Sequence, residues 1–429
     1  MLFVPNHTNA LVDPLVLVIA LRRKVRITAK NVLGRNPLLG VLMSGLGVVT
    51  FHRREDVGKG AEPRQNLHSL TRCRSILAKG EALCIFPEGV SHSDPKMRPF
   101  RSGAARIALD FIREDSNPGG LQIVPVGLLY TEKDQFRSGV WLRFGAPLDV
   151  ARWLREHPDG DAPLLTQEIR RRVESLTLNY ETRRESVILS WAAEILSTGG
   201  AMPPPLGRAE PPLAEGFQLL GRLQAGYRTL LASCPEEIAE LTARVRRYRG
   251  ELRRCGIEPG EVYLPLHPGR ALLFLVRELE LLVVGAPLAL FGFVNHALPY
   301  GIIRWIARAL SKDKDHWASN VVYPSFLVLP FFYLLQLTAA WVWLPAFWAG
   351  LYTVALPYTG YYALLYRDRV GSTWRRLRTV FYFLWNRSHQ EELAREGREI
   401  IAHIRALGER LAQESAEQTE EKAQKTAMK

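Results

Sequence analysis

Apolar residues recur along this chain with two different periods, and the change between them divides it. Over roughly the first 150 residues, short β-branched or aromatic runs return at intervals: "MLFVP", "VRITAK", "GVVTFH", "ALCIF", "LQIVPVGLLY" and "VWLRFG". Each predicts a strand. Between them lie helical spacings, such as Leu67, Leu70, Arg74 and Leu77, stopped by Gly80. Alternating strands and helices predict an α/β class, a mixed sheet with buried strands flanked by helices. A helical pattern from 164 to 196 closes this first domain, expected over residues 1–197.

The next stretch, "STGGAMPPPLGRAEPPLAEG" (197–216), is Pro and Gly rich without periodicity and reads as a linker. Two basic helices follow it within 198–270, broken at "SCPEE", where Ser233 is the expected cap and Pro235 the first helical residue. From Trp317 to Tyr366 there is no Lys, Arg, Asp or Glu. That run is long enough for two crossings of about 20 residues each. A second uncharged run, 281–303, contains Pro287, Asn295, His296 and Pro299, so a re-entrant segment is expected there, with a third span as the alternative. Arg304, Arg308, Lys312 and Lys314 precede the long run, and Arg367, Arg369, Arg375, Arg376 and Arg378 follow it. Basic flanks favour the cytoplasmic side, which makes 321–366 a hairpin with both ends inside and Trp341, Trp343, Phe347 and Trp348 at the far interface. The expected membrane region is 271–385, and 386–429 is a charged helical tail fading into disorder from "ESAEQTEEKAQKTAMK". "MLFVP" lacks the basic lead-in and length of a signal peptide.

A formal net charge of +13 and a pI near 9.7 favour anionic partners without choosing among nucleic acid, acidic lipid and phosphorylated small molecules. Nucleic acid is disfavoured, because the basic helices lack interleaved aromatics. Cys73, Cys84, Cys234 and Cys255 show no metal-like spacing, so reduced thiols are expected.

Candidate chemistry begins at "FVPNHTNALVDPL" (3–15), where His7 follows a strand and Asp13 precedes a predicted helix with Pro14 at its first position. Such a turn can return the carboxylate to the imidazole, fixing its tautomer and leaving the other nitrogen free to take a proton. An isolated His and Asp at this spacing is more often a satisfied turn. Further along, "CIFPEGVSHSDPKMRPFRSGAARIAL" (84–109) reads as a buried strand, a turn at Pro87, Glu88 and Gly89, and a helix near Ser102, with Arg101 just ahead. Amides at such a turn favour anions. "TFHRRED" (50–56) ends another strand and brings Arg53 and Arg54 to the same edge if the strands are parallel. His52 and His92 rank below His7 as rival bases.

Four blocks, "NHTNALVDP", "VVTFHRRED", "FPEGVSHSDPKMRPFRSGAARIAL" and "IVPVGLLY", resemble in sequence and order the phospholipid/glycerol acyltransferase superfamily. They cover roughly residues 1–150, and their co-occurrence is more specific than any one block. The resemblance implies that His7 is the base and Asp13 its orienting partner. It implies an acceptor site from Arg53 or Arg54 with Glu88, Gly89 and Arg101, and an acyl or structural wall from Phe86, Pro87, Pro125 and Val126. Many members place four residues between His and Asp, whereas "HTNALVD" has five. The chain is more similar to a branch that acylates glycerol 3-phosphate or dihydroxyacetone phosphate and carries a membrane region behind the domain; "NHALPYGIIRWIAR" also resembles it. Members usually have residues before the first strand, so Met1 is expected to be a late start or a truncation.

The resemblance implies acyl-CoA or acyl-carrier protein as donor substrate, a glycerol phosphate acceptor, no bound cofactor, no metal and no nucleic acid. The uncharged runs and their basic flanks predict a multi-pass protein in the lipid bilayer with its catalytic domain on the cytoplasmic face. The alternative acceptor is 1-acylglycerol 3-phosphate or another lysophospholipid. Two rivals remain: a metal hydrolase ligated by His7, Asp13, Glu88 and His92, and a basic membrane adaptor without catalysis.

Overall fold

Each of the six apolar runs forms a strand in the computed structural model: β1 (Leu2–Pro5), β2 (Val25–Lys30), β3 (Val49–Phe51), β4 (Ala82–Cys84), β5 (Gln122–Tyr130) and β6 (Val140–Phe144). A two-residue β7 (Leu148–Asp149) joins them. The structure describes residues 1–30, 48–51, 63–114, 120–133, 135, 138–200, 213–264, 268–311 and 317–427. Two compact units emerge, Met1–Glu181 with Ile306–Pro324, and Thr182–Trp305 with Ser325–Lys429.

In the first unit the sheet runs β3-β2-β4-β1-β5-β6, with β7 also paired to β5. The first five strands of that order are parallel, and β6 and β7 are antiparallel to β5, so the sheet is mixed as expected. Its helices are α1 (Val12–Ala20), α2 (Pro63–Ala78), α3 (Gly103–Glu114), α4 (Val150–Glu156) and α5 (Ala162–Glu174). Strand alternation assigns the faces. Leu2 and Val4 of β1 join a core with Cys73, Ile107, Trp153 and Leu165 from α2 to α5. Phe3 points the other way, into a cluster with Leu17 of α1, Val126 and Leu128. A one-residue slip of β1 would exchange these faces, and each fully buried aliphatic side chain is worth roughly 1.5–3 kcal/mol. Register is therefore fixed.

Proline in an inner strand needs an explanation, because it removes a ladder donor. The carbonyl of Pro125 accepts from Gly145 N at 2.9 Å, so the missing N–H faces the β6 and β7 side. There it falls between the last β7 rung, Ile123 with Leu148, and the first β6 rung, Val126 with Phe144. No ladder bond is lost.

The second unit is helical: α6 (Arg183–Ser197), α7 (Leu213–Ser233), α8 (Pro235–Cys255), a 3₁₀ turn (Pro259–Tyr263), α9 (Pro268–Leu310) as far as Trp305, α10 (Trp317–Trp343) from Ser325, α11 (Ala346–Trp385) and α12 (Arg387–Ala427), while the last turn of α9 and the start of α10, with Ser319, belong to the first unit. Four expectations are corrected here. The long helix from 164 to 196 is two helices, α5 and α6; Thr182 caps the second through Glu185 N at 3.1 Å, and Ile195 joins the core with Val245, Leu252 and Ile400. Ser233 is not the cap of α8, since its hydroxyl donates to Thr229 O at 3.2 Å and Cys234 takes the cap position. The tail is helical as far as Ala427. Of the linker, residues 201–212 lie outside the described residues, and α7 already begins at Leu213.

The fourth correction concerns 281–303. Despite Pro287 and Pro299, α9 is continuous through it. Proline at 299 cannot donate to the carbonyl of Asn295, four residues back, and that carbonyl instead accepts from Gln336 Nε2 of α10 at 2.7 Å. Neighbouring helices thus satisfy the freed backbone. Close packing helps: Gly292 lies against the Thr359 backbone, and a Cβ on Gly360 would meet His296 Nε2 at 2.5 Å. Small residues allow helices this near. His296 donates from Nδ1 to Gly292 O at 2.9 Å and accepts from Tyr333 OH at 3.0 Å. Among the described residues two helices are long and apolar enough to cross a membrane, Leu282–Leu310 and Trp317–Trp343. Trp341, Trp343, Phe347 and Trp348 are exposed about the break at Pro345.

Candidate active site

Parallel pairing of β1 and β4 aligns Phe3 with Cys84. Four residues further along the chain from each, beyond the strand ends, come His7 and Glu88, and both leave the sheet at the same edge. Asn6 extends the ladder with its side chain, donating from Nδ2 to Leu128 O at 3.1 Å and accepting from Leu128 N at 2.7 Å. The backbone just ahead of His7 is therefore tied to β5.

His7 Nδ1 lies 2.9 Å from Asp13 Oδ2. A carboxylate can only accept here, so Nδ1 carries the proton and Nε2 presents a lone pair. Nε2 has no hydrogen bond to any described residue. The imidazole rests on the Phe86 ring, centroids 4.3 Å apart, with 16% of its side chain exposed. That leaves one unbonded nitrogen on a partly exposed ring.

Asp13 is fully buried, and donors surround it. Its Oδ2 also accepts from Thr8 N and Asn9 N, each at 2.7 Å, while Oδ1 accepts from Tyr130 OH at 2.6 Å. The helix begins at Val12, so Asp13 occupies its first turn and Pro14 its third residue, slightly inside the predicted start. A carboxylate is favoured at that end, and proline costs nothing there because first-turn amides have no intrahelical partner. Just ahead of the helix, the amide of the N-cap residue Leu11 donates to Ser319 Oγ of α10 at 3.1 Å. Burial, and then the charge of Asp13, push the Tyr130 phenol far above its usual range, so it stays a donor.

Glu88 is turned inward. It is 3% exposed, and Oε1 accepts from His7 N at 2.7 Å while Oε2 accepts from Arg98 N at 2.9 Å and from His92 Nε2. Its place in the sequence suggests a group facing the acceptor; its geometry is that of a buried brace between two loops. His92 is also buried, with Nδ1 accepting from Asp94 N at 3.2 Å, so both nitrogens are occupied. It offers no free base. Asp94 in turn bonds Arg98, which holds its carboxyl below the ordinary range.

Gly89 adopts φ +73°, a region that favours glycine, and a Cβ there would meet Arg101 Nε at 3.0 Å. Arg101 is exposed, and its backbone N–H donates to Pro87 O at 2.8 Å. An exposed guanidinium thus lies over the turn whose glutamate braces His7. Pro125 and Val126 are buried within β5, where they form sheet interior. Arg53, Arg54 and His52 lie outside the described residues.

The structure gathers His7, Asp13, Phe86, Pro87, Glu88, Gly89 and Arg101 at one edge. Sequence reasoning missed Tyr130, Asn6 and the two amides before Asp13. Tyr130 closes the block "IVPVGLLY", and pairing of that strand with β1 was the signal available. Lys133 was missed too; its carbonyl accepts from Asn9 Nδ2 at 3.1 Å.

Residues 1–129 match the family model described as Acyltransferase. A 77-residue stretch is 40% identical to "Uncharacterized acyltransferase C1718.04" of Schizosaccharomyces pombe, covering 18% of this chain and 11% of that protein. Over 131 residues the chain is 29% identical to the chloroplastic 1-acyl-sn-glycerol-3-phosphate acyltransferase BAT2 of Brassica napus, covering 30% of this chain and 33% of the relative. Over 188 residues it is 27% identical to glycerol-3-phosphate O-acyltransferase 1 of Saccharomyces cerevisiae, covering 42% of this chain and 23% of the relative. In each case the match spans about a third of the relative or less.

Proposed function

We propose, from the premise that residues 1–129 form an Acyltransferase-family domain, that this chain moves a fatty acyl group from a thioester to a hydroxyl of glycerol 3-phosphate or dihydroxyacetone phosphate. The observation that carries the reading is the Nε2 of His7, unbonded by any described residue, opposite an Nδ1 bonded to buried Asp13 at 2.9 Å.

An alcohol is a weak nucleophile, whereas a thioester is already activated. His7 Nε2 takes the proton as the acceptor oxygen bonds to the thioester carbonyl carbon. Asp13 stabilises the imidazolium. Collapse of the tetrahedral adduct breaks the C–S bond, and the leaving thiolate recovers the proton from His7. No acyl-enzyme forms. Arg101, together with Arg53 and Arg54, supplies cations for the acceptor phosphate, each guanidinium able to donate two hydrogen bonds at once. Acyl-CoA or acyl-carrier protein is the donor substrate.

The apolar helices hold the chain in the bilayer, where the acyl donor and the lipid product partition, with the catalytic domain on the cytoplasmic face. A 1-acylglycerol 3-phosphate acceptor is the second reading, supported by the name of the Brassica napus relative.

Thiol release from acyl-CoA by membranes carrying the full chain, with each acceptor in turn, tests this. Loss of the general base removes about 10²–10⁴ in rate, so His7→Ala should lower kcat by that much. Full activity of His7→Ala would refute the assignment.

A further inference from the structure

We infer that Tyr130 is a positioning residue for the reaction, locking the Asp13 carboxylate so that one oxygen is reserved for His7. The inference rests on the acyltransferase reading and adds to it a residue outside the His and Asp pair.

The two oxygens of Asp13 are held differently. Oδ2 takes three donors, His7 Nδ1 at 2.9 Å and the amides of Thr8 and Asn9 at 2.7 Å each. Oδ1 takes the phenol of Tyr130 at 2.6 Å, and no other described residue donates to it. A carboxylate turns about its Cβ–Cγ bond at little cost unless both oxygens are engaged. Because Asp13 is fully buried, an unengaged Oδ1 has no water to turn to, and the group would swing so that the amides are shared between its oxygens. His7 would then lose a fixed acceptor at Nδ1, and with it the tautomer that leaves Nε2 basic.

Tertiary structure brings this donor in from afar. Asn6 fastens the end of β1 to Leu128, and Tyr130, two residues further along β5, lies on the same face of the sheet as Leu128. That face is the one covered by α1, whose first turn holds Asp13. The phenol therefore spans from the sheet to the helix, behind the imidazole rather than in front of it.

The test is a double-mutant cycle in membranes carrying the full chain, with acyl-CoA and glycerol 3-phosphate. Tyr130→Phe keeps the ring and removes only the hydroxyl. It should lower kcat about tenfold, the scale of one hydrogen bond to a charged group, with KM for both substrates held. In an Asp13→Ala background the same change should cost less than about twofold, because Tyr130 acts only through the Asp13 carboxylate. A misfolding effect would multiply the loss in both backgrounds, and that result overturns the proposal. So would a kcat unchanged by Tyr130→Phe, or a loss confined to KM. Carbethoxylation of His7 by diethyl pyrocarbonate, followed by mass spectrometry, reads the imidazole without turnover. It should slow in Tyr130→Phe and show no further slowing when Asp13 is already Ala; equal rates in wild type and Tyr130→Phe overturn the proposal. Coupled carbethoxylation in a chain that releases no thiol with any acceptor would sink the functional reading and leave the role of Tyr130 standing.

Discussion

Replacing Asp13 by Asn separates shape from charge at the centre of the site. All four hydrogen-bond partners of the carboxylate among the described residues are donors: His7 Nδ1, Thr8 N, Asn9 N and Tyr130 OH. Asparagine fits with its oxygen toward His7 and the two amides and its NH₂ toward Tyr130, whose hydroxyl oxygen can accept. Nδ1 of His7 keeps an acceptor, so the tautomer survives. What disappears is the negative charge facing the imidazolium formed in the transition state. With charge centres about 4 Å apart and an effective dielectric near 20, that charge is worth about 4 kcal/mol. At about 1.4 kcal/mol per decade, kcat should fall about a thousandfold. KM for the acceptor should hold, because Asp13 is buried behind His7 and meets no substrate. The assay is thiol release from acyl-CoA at saturating glycerol 3-phosphate, with circular dichroism to show that the variant is folded. A variant within tenfold of wild type, or one that loses only KM, would refute the electrostatic reasoning.

Glu88→Gln leaves one oxygen where His7 N and Arg98 N both need an acceptor, so it should destabilise the fold by about 1–3 kcal/mol, seen as a lower thermal midpoint in detergent. An unchanged midpoint would mean the brace is dispensable. Arg101→Ala should raise KM for the phosphorylated acceptor about tenfold while kcat holds, since the guanidinium is exposed and a phosphate-binding cation takes no part in the proton transfer; saturation kinetics in the acceptor decide it. Ser319→Ala strips the acceptor from Leu11 N and should cost about 1 kcal/mol, read as faster amide exchange in the first turn of α1.

Much of the sheet was legible in the sequence because its strands are short apolar runs whose burial depends on local pattern. The parallel core followed from strands alternating with helices, and the edge that carries the chemistry followed from His7 and Glu88 each standing just beyond a strand. The helical unit was less legible. Proline usually ends a helix, and nothing near Pro299 in the chain announces that Gln336, 41 residues beyond Asn295, supplies the missing donor to its carbonyl. The break between α5 and α6 was hidden for a similar reason: the apolar spacing continues through it, while the two helices bury that face in different cores.

The candidate site divides along the same line. Sequence alone determined the chemistry on offer, an imidazole and a carboxylate at a strand end with glycine and arginine nearby, because residue types and short spacings are properties of the chain. Tertiary structure decided how each group is used. Glu88 turns inward because His7 N and Arg98 N, ten residues or more away, converge on it, and His92 is silenced by that same carboxylate. Tyr130 reaches Asp13 across 117 positions only because β5 lies beside β1. A hydrogen bond depends on distances of tenths of an ångström between groups remote in sequence, and those distances exist only once the sheet has set its register.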